Sequence, residues 1–286
     1  MSHIHPAGYS PTVKKRALSR KLLTARRTAG MTTTEVCKLL NWSQAKLNYI
    51  EKGKWVEPNS DAVADLCEVY GVEGEEQEAL IKLARDGRQR GWWTRYNDVF
   101  HNEFPGFETA ASSVLTFQNT FVPGLLQCAE YITEATRFGG IDDPAEIERH
   151  VTARLERKEL LLRLDSPARF HAVMDENVVL RLNSSPVQRP QLQHMITMLE
   201  HDNVALQIIP TSVGLYQGAG EAFTYLGFSD PAERDIVFLE TRLDDRFLEE
   251  KDELKRYRSR FDELCTAATS VEATRAYLLH EFEGAK

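Results

Sequence analysis

Gln44, Ala45, Lys46 and Asn48 fall within five consecutive positions behind a serine, and their side chains are of the kinds that read or hold nucleic acid. Gln and Asn can each form paired hydrogen bonds with an adenine edge, Ala can touch a thymine methyl, and Lys can serve a guanine or a phosphate oxygen. That chemistry needs a rigid element to present it. Ser43 is placed to cap a helix opening at Gln44, and Leu47 and Ile50 would form its inward side. Gly53 ends the helix. The spacing therefore predicts a short helix over residues 43–51 with its N-terminal polar residues outward, the build of a DNA-reading helix.

The preceding residues predict its partner. Thr32 is placed as an N-cap, and Glu35 three positions on can reach back to close a capping box. Val36, Cys37 and Leu40 repeat at helical spacing, and Asn41 supplies the turn because Asn tolerates the left-handed conformation. An ordinary helical hairpin shares this pattern. Around the pair, residues 13–29 place Leu18, Leu22, Ala25 and Ala29 on one helical face, with Lys14, Lys15, Arg16, Arg20, Lys21, Arg26 and Arg27 largely elsewhere. Ser60 is expected to cap a helix carrying Val63, Leu66, Cys67 and Tyr70, and residues 75–85 carry Leu80, Ile81 and Ala84. The expected head is an all-α bundle of five helices.

Residues 30–53 align without a gap on the Cro-like (xenobiotic response element) helix-turn-helix pattern, and the segment resembles that family. Gly30, Glu35, Leu40, Ser43, Gln44, Ile50, Glu51 and Gly53 coincide with the pattern, and Met31, Thr32, Val36, Cys37 and Leu47 are close substitutions. Thr33 stands where the family has a Gln beside a phosphate, Asn41 where it has the turn Gly, and Tyr49 where Arg is frequent. The first and third departures weaken backbone contacts, while the second suits the turn. The resemblance implies an Arg26–Glu35 ion pair joining the first helix to the motif. It also implies base reading by Gln44, Ala45, Lys46 and Asn48. Phosphate contacts are expected from Thr33, Ser43, Lys52, Lys54, Lys14 and Arg20.

Charge agrees once it is counted by region. Residues 1–57 hold 11 Lys or Arg against 3 Asp or Glu, a net +8; the remaining 24 basic and 40 acidic side chains give −16, within a total of −8. A basic head beside an acidic body suits a head that meets phosphate. Binding should then weaken steeply with salt, because each phosphate neutralised releases counterion. At 286 residues and 42% hydrophobic content, two domains are expected. No apolar run approaches the roughly 18 residues of a membrane helix, and the N-terminus lacks an apolar signal core, so a cytoplasmic protein is expected. Cys37, Cys67, Cys128 and Cys265 are widely spaced and read as reduced, buried thiols, with a redox-sensing role at Cys128 or Cys265 as the alternative.

A joint is expected over residues 87–107. Gly87 and Gly91 interrupt the helical pattern, and Trp92, Trp93 and Tyr96 interleave with Arg88, Arg90 and Arg95. This mixture could stack on unpaired bases or grip a phosphate, but packing against a neighbouring domain is the simpler reading. Beyond it the pattern turns mixed. An apolar stretch over 115–126 leads to a short helix at 129–137, and a long helix is expected over 144–162, with Glu156–Arg157 and Glu159–Arg163 as charge pairs. Strands are expected at 169–174, 204–210, 222–228 and 236–241, and helices at 188–201, 252–268 and 271–283. The fold class is α+β overall: a five-helix head over 10–86, the joint, and a mixed α+β body over 108–286.

Asp175, Glu176, His171, His194, His201 and Asp202 could be assembled on paper into a metal or hydrolase site. His194 and His201 lack the four-residue spacing of a helical zinc pair, and Asp175 and Glu176 suit the start of a helix running through Val178, Val179 and Leu180. No catalysis, cofactor or metal is expected.

Almost the whole chain, from about Ser10 to about Phe282, resembles actinobacterial antitoxin-like regulators with a Cro-like head. Outside the head the resemblance is carried by residues 91–96, 121–127, 154–158, 173–176, 206–210 and 238–240, among them Trp92, Trp93, Pro123, Gly124, Arg154, Arg157 and Lys158. It implies a transcriptional regulator paired with a small acidic partner protein. The expectation is a sequence-specific homodimer on double-stranded DNA, its operator an inverted repeat with half-sites roughly 34 Å apart. Its dimer surface would be residues 204–210 as an edge strand or the terminal helices. The alternatives are a protein-interaction module whose acidic body neutralises a partner, or a one-component regulator responding to a small molecule.

Overall fold

Pro11 lies in the first turn of α1 (Pro11–Thr28), where its missing N–H costs no helical hydrogen bond. The helix thus begins two residues before the apolar pattern does. The computed structural model describes residues 9–183, 185–230, 233–241 and 245–285. Contacts divide the chain into two compact units, Met1–Arg95 and Tyr96–Lys286.

In the first unit α1 is followed by α2 (Thr33–Leu40), α3 (Gln44–Glu51), α4 (Ser60–Tyr70) and α5 (Gly74–Gly87). Leu18, Leu22, Val36, Leu47, Ile50, Val63, Leu66, Cys67, Leu80 and Ala84 are buried in one cluster. A fully buried Leu contributes about 1.5–3 kcal/mol, so the apolar faces of all five helices converging here hold the bundle together. Three expectations need correction. Ala29 is exposed, because it lies past the end of α1 as its C-cap. The cap of α4 is Asn59, whose Oδ1 accepts from the backbone of Asp61 and Ala62; Ser60 is the first helical residue. Arg26 does not pair with Glu35. Its guanidinium donates to both oxygens of Glu51, at 2.5 and 2.9 Å, and to the Met31 carbonyl at 2.7 Å. Glu35 is instead committed to the capping box, accepting from the backbone N–H and hydroxyl of Thr32.

The second unit orders α6 (Phe104–Ala110), β1 (Ser113–Gln118), α7 (Ala129–Phe138), α8 (Pro144–Glu156), α9 (Glu159–Leu162), β2 (Arg169–Asp175), α10 (Glu176–Leu180), α11 (Gln188–Met198), β3 (Val204–Ile209), β4 (Phe223–Gly227), β5 (Ile236–Leu239), β6 (Arg246–Leu248), α12 (Lys251–Ala267) and α13 (Val271–Gly284). The strands form one sheet in the order β3-β2-β1-β4-β5-β6. β1, β2 and β3 are parallel to one another, with Thr116 opposite Ala172 and Ala172 opposite Leu206; β4, β5 and β6 continue antiparallel. Helical crossovers supply the parallel half. Leu115, Phe117, Val173, Phe223, Tyr225 and Val237 form an apolar layer with Phe261 and Leu264 of α12.

The long helix expected over 144–162 is broken between Glu156 and Glu159. Arg157 leaves the expected pairing with Glu156 and binds Glu108 through two hydrogen bonds, at 2.7 and 2.9 Å. Lys158 turns inward to the Gln127 carbonyl and to His194 Nε2. Arg163 likewise leaves Glu159 and donates to the Ser166 carbonyl. At the β3 edge, Thr269 N–H donates to the Ile208 carbonyl at 2.9 Å and Ile208 N–H donates to Thr274 Oγ1 at 3.2 Å. The turn between α12 and α13 therefore occupies that edge near Ile208.

Candidate nucleic-acid interface

Two caps and one left-handed residue set the geometry of the helix pair. Thr32 Oγ1 accepts from Glu35 N, and the Glu35 carboxylate closes the capping box. These donors hold the Glu35 carboxyl below its ordinary value. Asn41 takes φ 52° and ψ 42°, the left-handed conformation expected for the turn. Ser43 Oγ then accepts from Lys46 N at 3.2 Å and starts α3.

The Arg26–Glu51 pair fixes the far end of α3 to α1. Their side chains are 12% and 7% exposed, and the carboxylate raises the Arg26 pKa further. Just beyond, Gly53 has φ +68° and Trp55 is buried, its indole N–H donating to Ser19 Oγ at 3.1 Å. The loop carrying Lys52 and Lys54 is thus anchored to α1 while both lysines stay exposed.

On α3, Leu47 and Ile50 face the core, and Gln44, Ala45, Lys46 and Asn48 are exposed. At 3.6 residues per turn, Gln44, Ala45 and Asn48 share the outward face and Lys46 lies on its shoulder. Gln44 Nε2 donates to Thr34 Oγ1 at 3.1 Å, so the first turn of α2 steers the leading residue of α3. Lys46 Nζ stands 3.4 Å from the centre of the Trp42 ring, a cation–π contact that holds the ammonium beside the turn. Tyr49, 44% exposed, follows Ala45 by four residues and extends the outward row. Thr34, Trp42 and Tyr49 were not among the sequence candidates. Thr34 and Trp42 act through contacts made only when the helices meet; Tyr49 was recognisable from its spacing alone.

The remaining candidates are more dispersed. Thr33 is the half-buried first residue of α2, and the Ser43 hydroxyl is engaged in its cap. Lys14 and Arg20 are half-buried on α1 and lie roughly 120° apart around it, so they do not share one face. At the expected joint, Trp92–Tyr96 forms a short 3-10 helix in which Trp93 and Tyr96 are buried and Arg95 is exposed.

In the second unit, the acids and histidines that could be assembled on paper stand apart. Asp175 caps α10 and accepts from Tyr216, while Glu176 accepts from the backbone and hydroxyl of Thr211. His194 accepts from Lys158; burial and this cation lower its pKa to about 4. His171 Nε2 meets Gln207 Oε1 at 2.8 Å, and Gln207 Nε2 donates to the Thr269 carbonyl at 2.8 Å. The imidazole must therefore donate to Gln207, which prevents the same nitrogen from accepting a proton from Cys265, 3.9 Å away. Among the described residues no group of three or more His, Cys, Asp or Glu is placed to hold a metal. All four cysteines are free; Cys37, Cys67 and Cys128 are buried and Cys265 half-buried.

The first unit, with its capped helix pair and exposed polar row, and the second, with its mixed sheet, define a helix-turn-helix protein carrying a separate α+β domain. A helix-turn-helix domain model matches residues 17–80. The chain belongs to the family described as domain of unknown function DUF5753, whose model matches residues 102–280. No curated protein and no solved structure matches the chain. The helix-turn-helix match implies DNA binding in general. No helix among the described residues is long and apolar enough to cross a membrane.

Proposed function

We propose that the chain is a sequence-specific transcriptional regulator of the Cro-like class, acting in the cytoplasm as a homodimer on an inverted-repeat operator. The observation that carries this reading is the exposed polar row of α3, held by contacts from α2 and the turn: Gln44 on Thr34 and Lys46 over Trp42. Gln44, Ala45 and Asn48 read base edges, Lys46 serves a guanine or a phosphate, and Thr33, Ser43, Lys52, Lys54, Lys14 and Arg20 contribute backbone contacts. The net +8 of residues 1–57 supports this division.

Selection of bound duplexes from a random DNA pool by the full chain tests the proposal, followed by affinity on the winner across a salt series. An enriched inverted repeat that outcompetes scrambled duplex at every salt concentration supports it. Enrichment of a single half-site would remove the dimer, and no enrichment by folded protein would remove base reading.

The antitoxin-like pairing with a small acidic protein also belongs to this proposal. The charge division gives it a definite form: the net −16 of residues 58–286 repels an acidic partner, so charge alone directs such a partner to the basic head, in competition with DNA.

A further inference from the structure

His150, Arg154 and Arg157 follow one another on α8 and its C-cap at spacings of four and three, which align them along one side of the helix. Arg157 is neutralised by its two hydrogen bonds to Glu108. Arg154, about one turn earlier, is only partly exposed, yet among the described residues it makes no hydrogen bond or ion pair. Arg157 repels it, while Glu240 attracts it electrostatically without bonding it. One turn earlier again, His150 has a buried Nδ1 with no hydrogen-bond partner among the described residues. Tyr131, on the packed neighbour α7, lies near enough to influence the Arg154 charge. Its hydroxyl oxygen accepts from Val122 N at 3.1 Å, leaving the O–H hydrogen to donate.

A guanidinium and an imidazole one helical turn apart, and a phenol close enough to act on the guanidinium, thus keep hydrogen-bonding capacity unspent. A half-buried cation without a bonded counter-charge is costly, and the planar fork of Arg matches the paired oxygens of carboxylate or phosphate. Nearby Asp98 does not meet this need, because its carboxylate is bonded to Arg149.

We propose that Arg154, with Tyr131 and His150 beside it, forms a binding site for a small oxyanion, a metabolite bearing a phosphate or carboxylate group. Arg154 holds the oxyanion through its guanidinium fork, Tyr131 donates a further hydrogen bond, and Glu240 is the internal competitor that the ligand displaces. The site lies wholly within the second unit and does not depend on how the head reads DNA. It gives the α+β domain a ligand class to which a regulator could respond.

The test uses the full chain at neutral pH and constant ionic strength, titrated separately with inorganic phosphate and with acetate. The His150 imidazole resonance, assigned by His150→Gln, reports on the site and not on phosphate held by the basic head. A saturable shift with at least one anion is expected, weakened about tenfold or more by Arg154→Gln and unchanged by Arg137→Gln on the exposed end of α7. Preference for phosphate or for acetate identifies the headgroup. No saturable shift with either anion, or equal affinity in Arg154→Gln, overturns the site. Should Arg154→Gln fail to fold, the exposed Glu240→Gln decides: removing the competing carboxylate must tighten binding, and unchanged or weaker binding refutes the proposal.

Discussion

Glu51→Ala strikes the contact that fixes the end of the recognition helix. The substitution removes a carboxylate that accepts two hydrogen bonds from Arg26, at 2.5 and 2.9 Å, with both side chains nearly excluded from water. Hydrogen bonds involving charged groups contribute about 1.5–3 kcal/mol each, which brackets the loss at about 3–6 kcal/mol. Breaking one side of a buried ion pair typically costs about 3–5 kcal/mol, because the surviving charge stays buried. The Met31 carbonyl still accepts from Arg26, so the lower half of that range, about 3–4 kcal/mol, is the expected cost. Glu35→Gln should cost less, because it disturbs only an exposed cap. Urea unfolding of the full chain, followed through the Trp55 indole resonance, isolates the head transition, since that indole is buried against Ser19. The double substitution Arg26→Met with Glu51→Leu should recover most of the loss, since two apolar side chains leave no buried charge. A Glu51→Ala cost below that of Glu35→Gln, or a double variant no more stable than Glu51→Ala, would refute the reasoning.

Gln44→Ala and Lys46→Ala should each weaken operator binding by about 1–3 kcal/mol, with Gln44→Ala also relaxing base preference in the duplex selection; unchanged affinity in both would sink the recognition-helix assignment. His194 carries a pKa lowered to about 4 in the fold, so its neutral burial contributes stability that is present above its ordinary value of 6.5 and is lost as pH falls towards 4. His194→Gln should therefore show a shallower loss of urea resistance across that window than the natural chain, and identical slopes would contradict the assignment. Gly91→Ala would place a Cβ 2.2 Å from the Trp93 ring, so the indole must move; a loss of about 1–3 kcal/mol in thermal or urea unfolding is expected.

The recognition helix pair was legible because its signals are local. Thr32 with Glu35, Asn41, and Ser43 before Gln44 each act within three or four residues, and each appears as its type requires. The ion pair was not legible for the opposite reason: the resemblance implies Glu35 as the partner of Arg26, and only the assembled bundle shows that Glu35 is consumed by its cap while Glu51 binds Arg26. Asn59 and Ser60 are adjacent residues of equal capping ability, so neither type nor spacing selects between them. In the second unit β2, β3 and α11 follow clear apolar patterns. The central strand β1 passed unrecognised as a strand within the apolar stretch 115–126, and β6 spans three residues, too few to show alternation. The break after α8 depends on Glu108, Gln127 and His194, all more than 30 residues from their partners, where no periodicity can register them.

The seal on the β3 edge has a consequence for biosynthesis. Thr269, whose N–H and hydroxyl both donate to the Ile208 carbonyl, follows that residue by 61 positions. At translation rates of about 5–20 residues per second, β3 leaves the ribosome roughly 3–12 s before the turn that closes it. During that interval its unpaired backbone groups are a template for any other extended chain nearby. A nascent chain stalled in the α12 coding region would keep this edge open, making it a candidate for chaperone capture or for co-aggregation on a polysome.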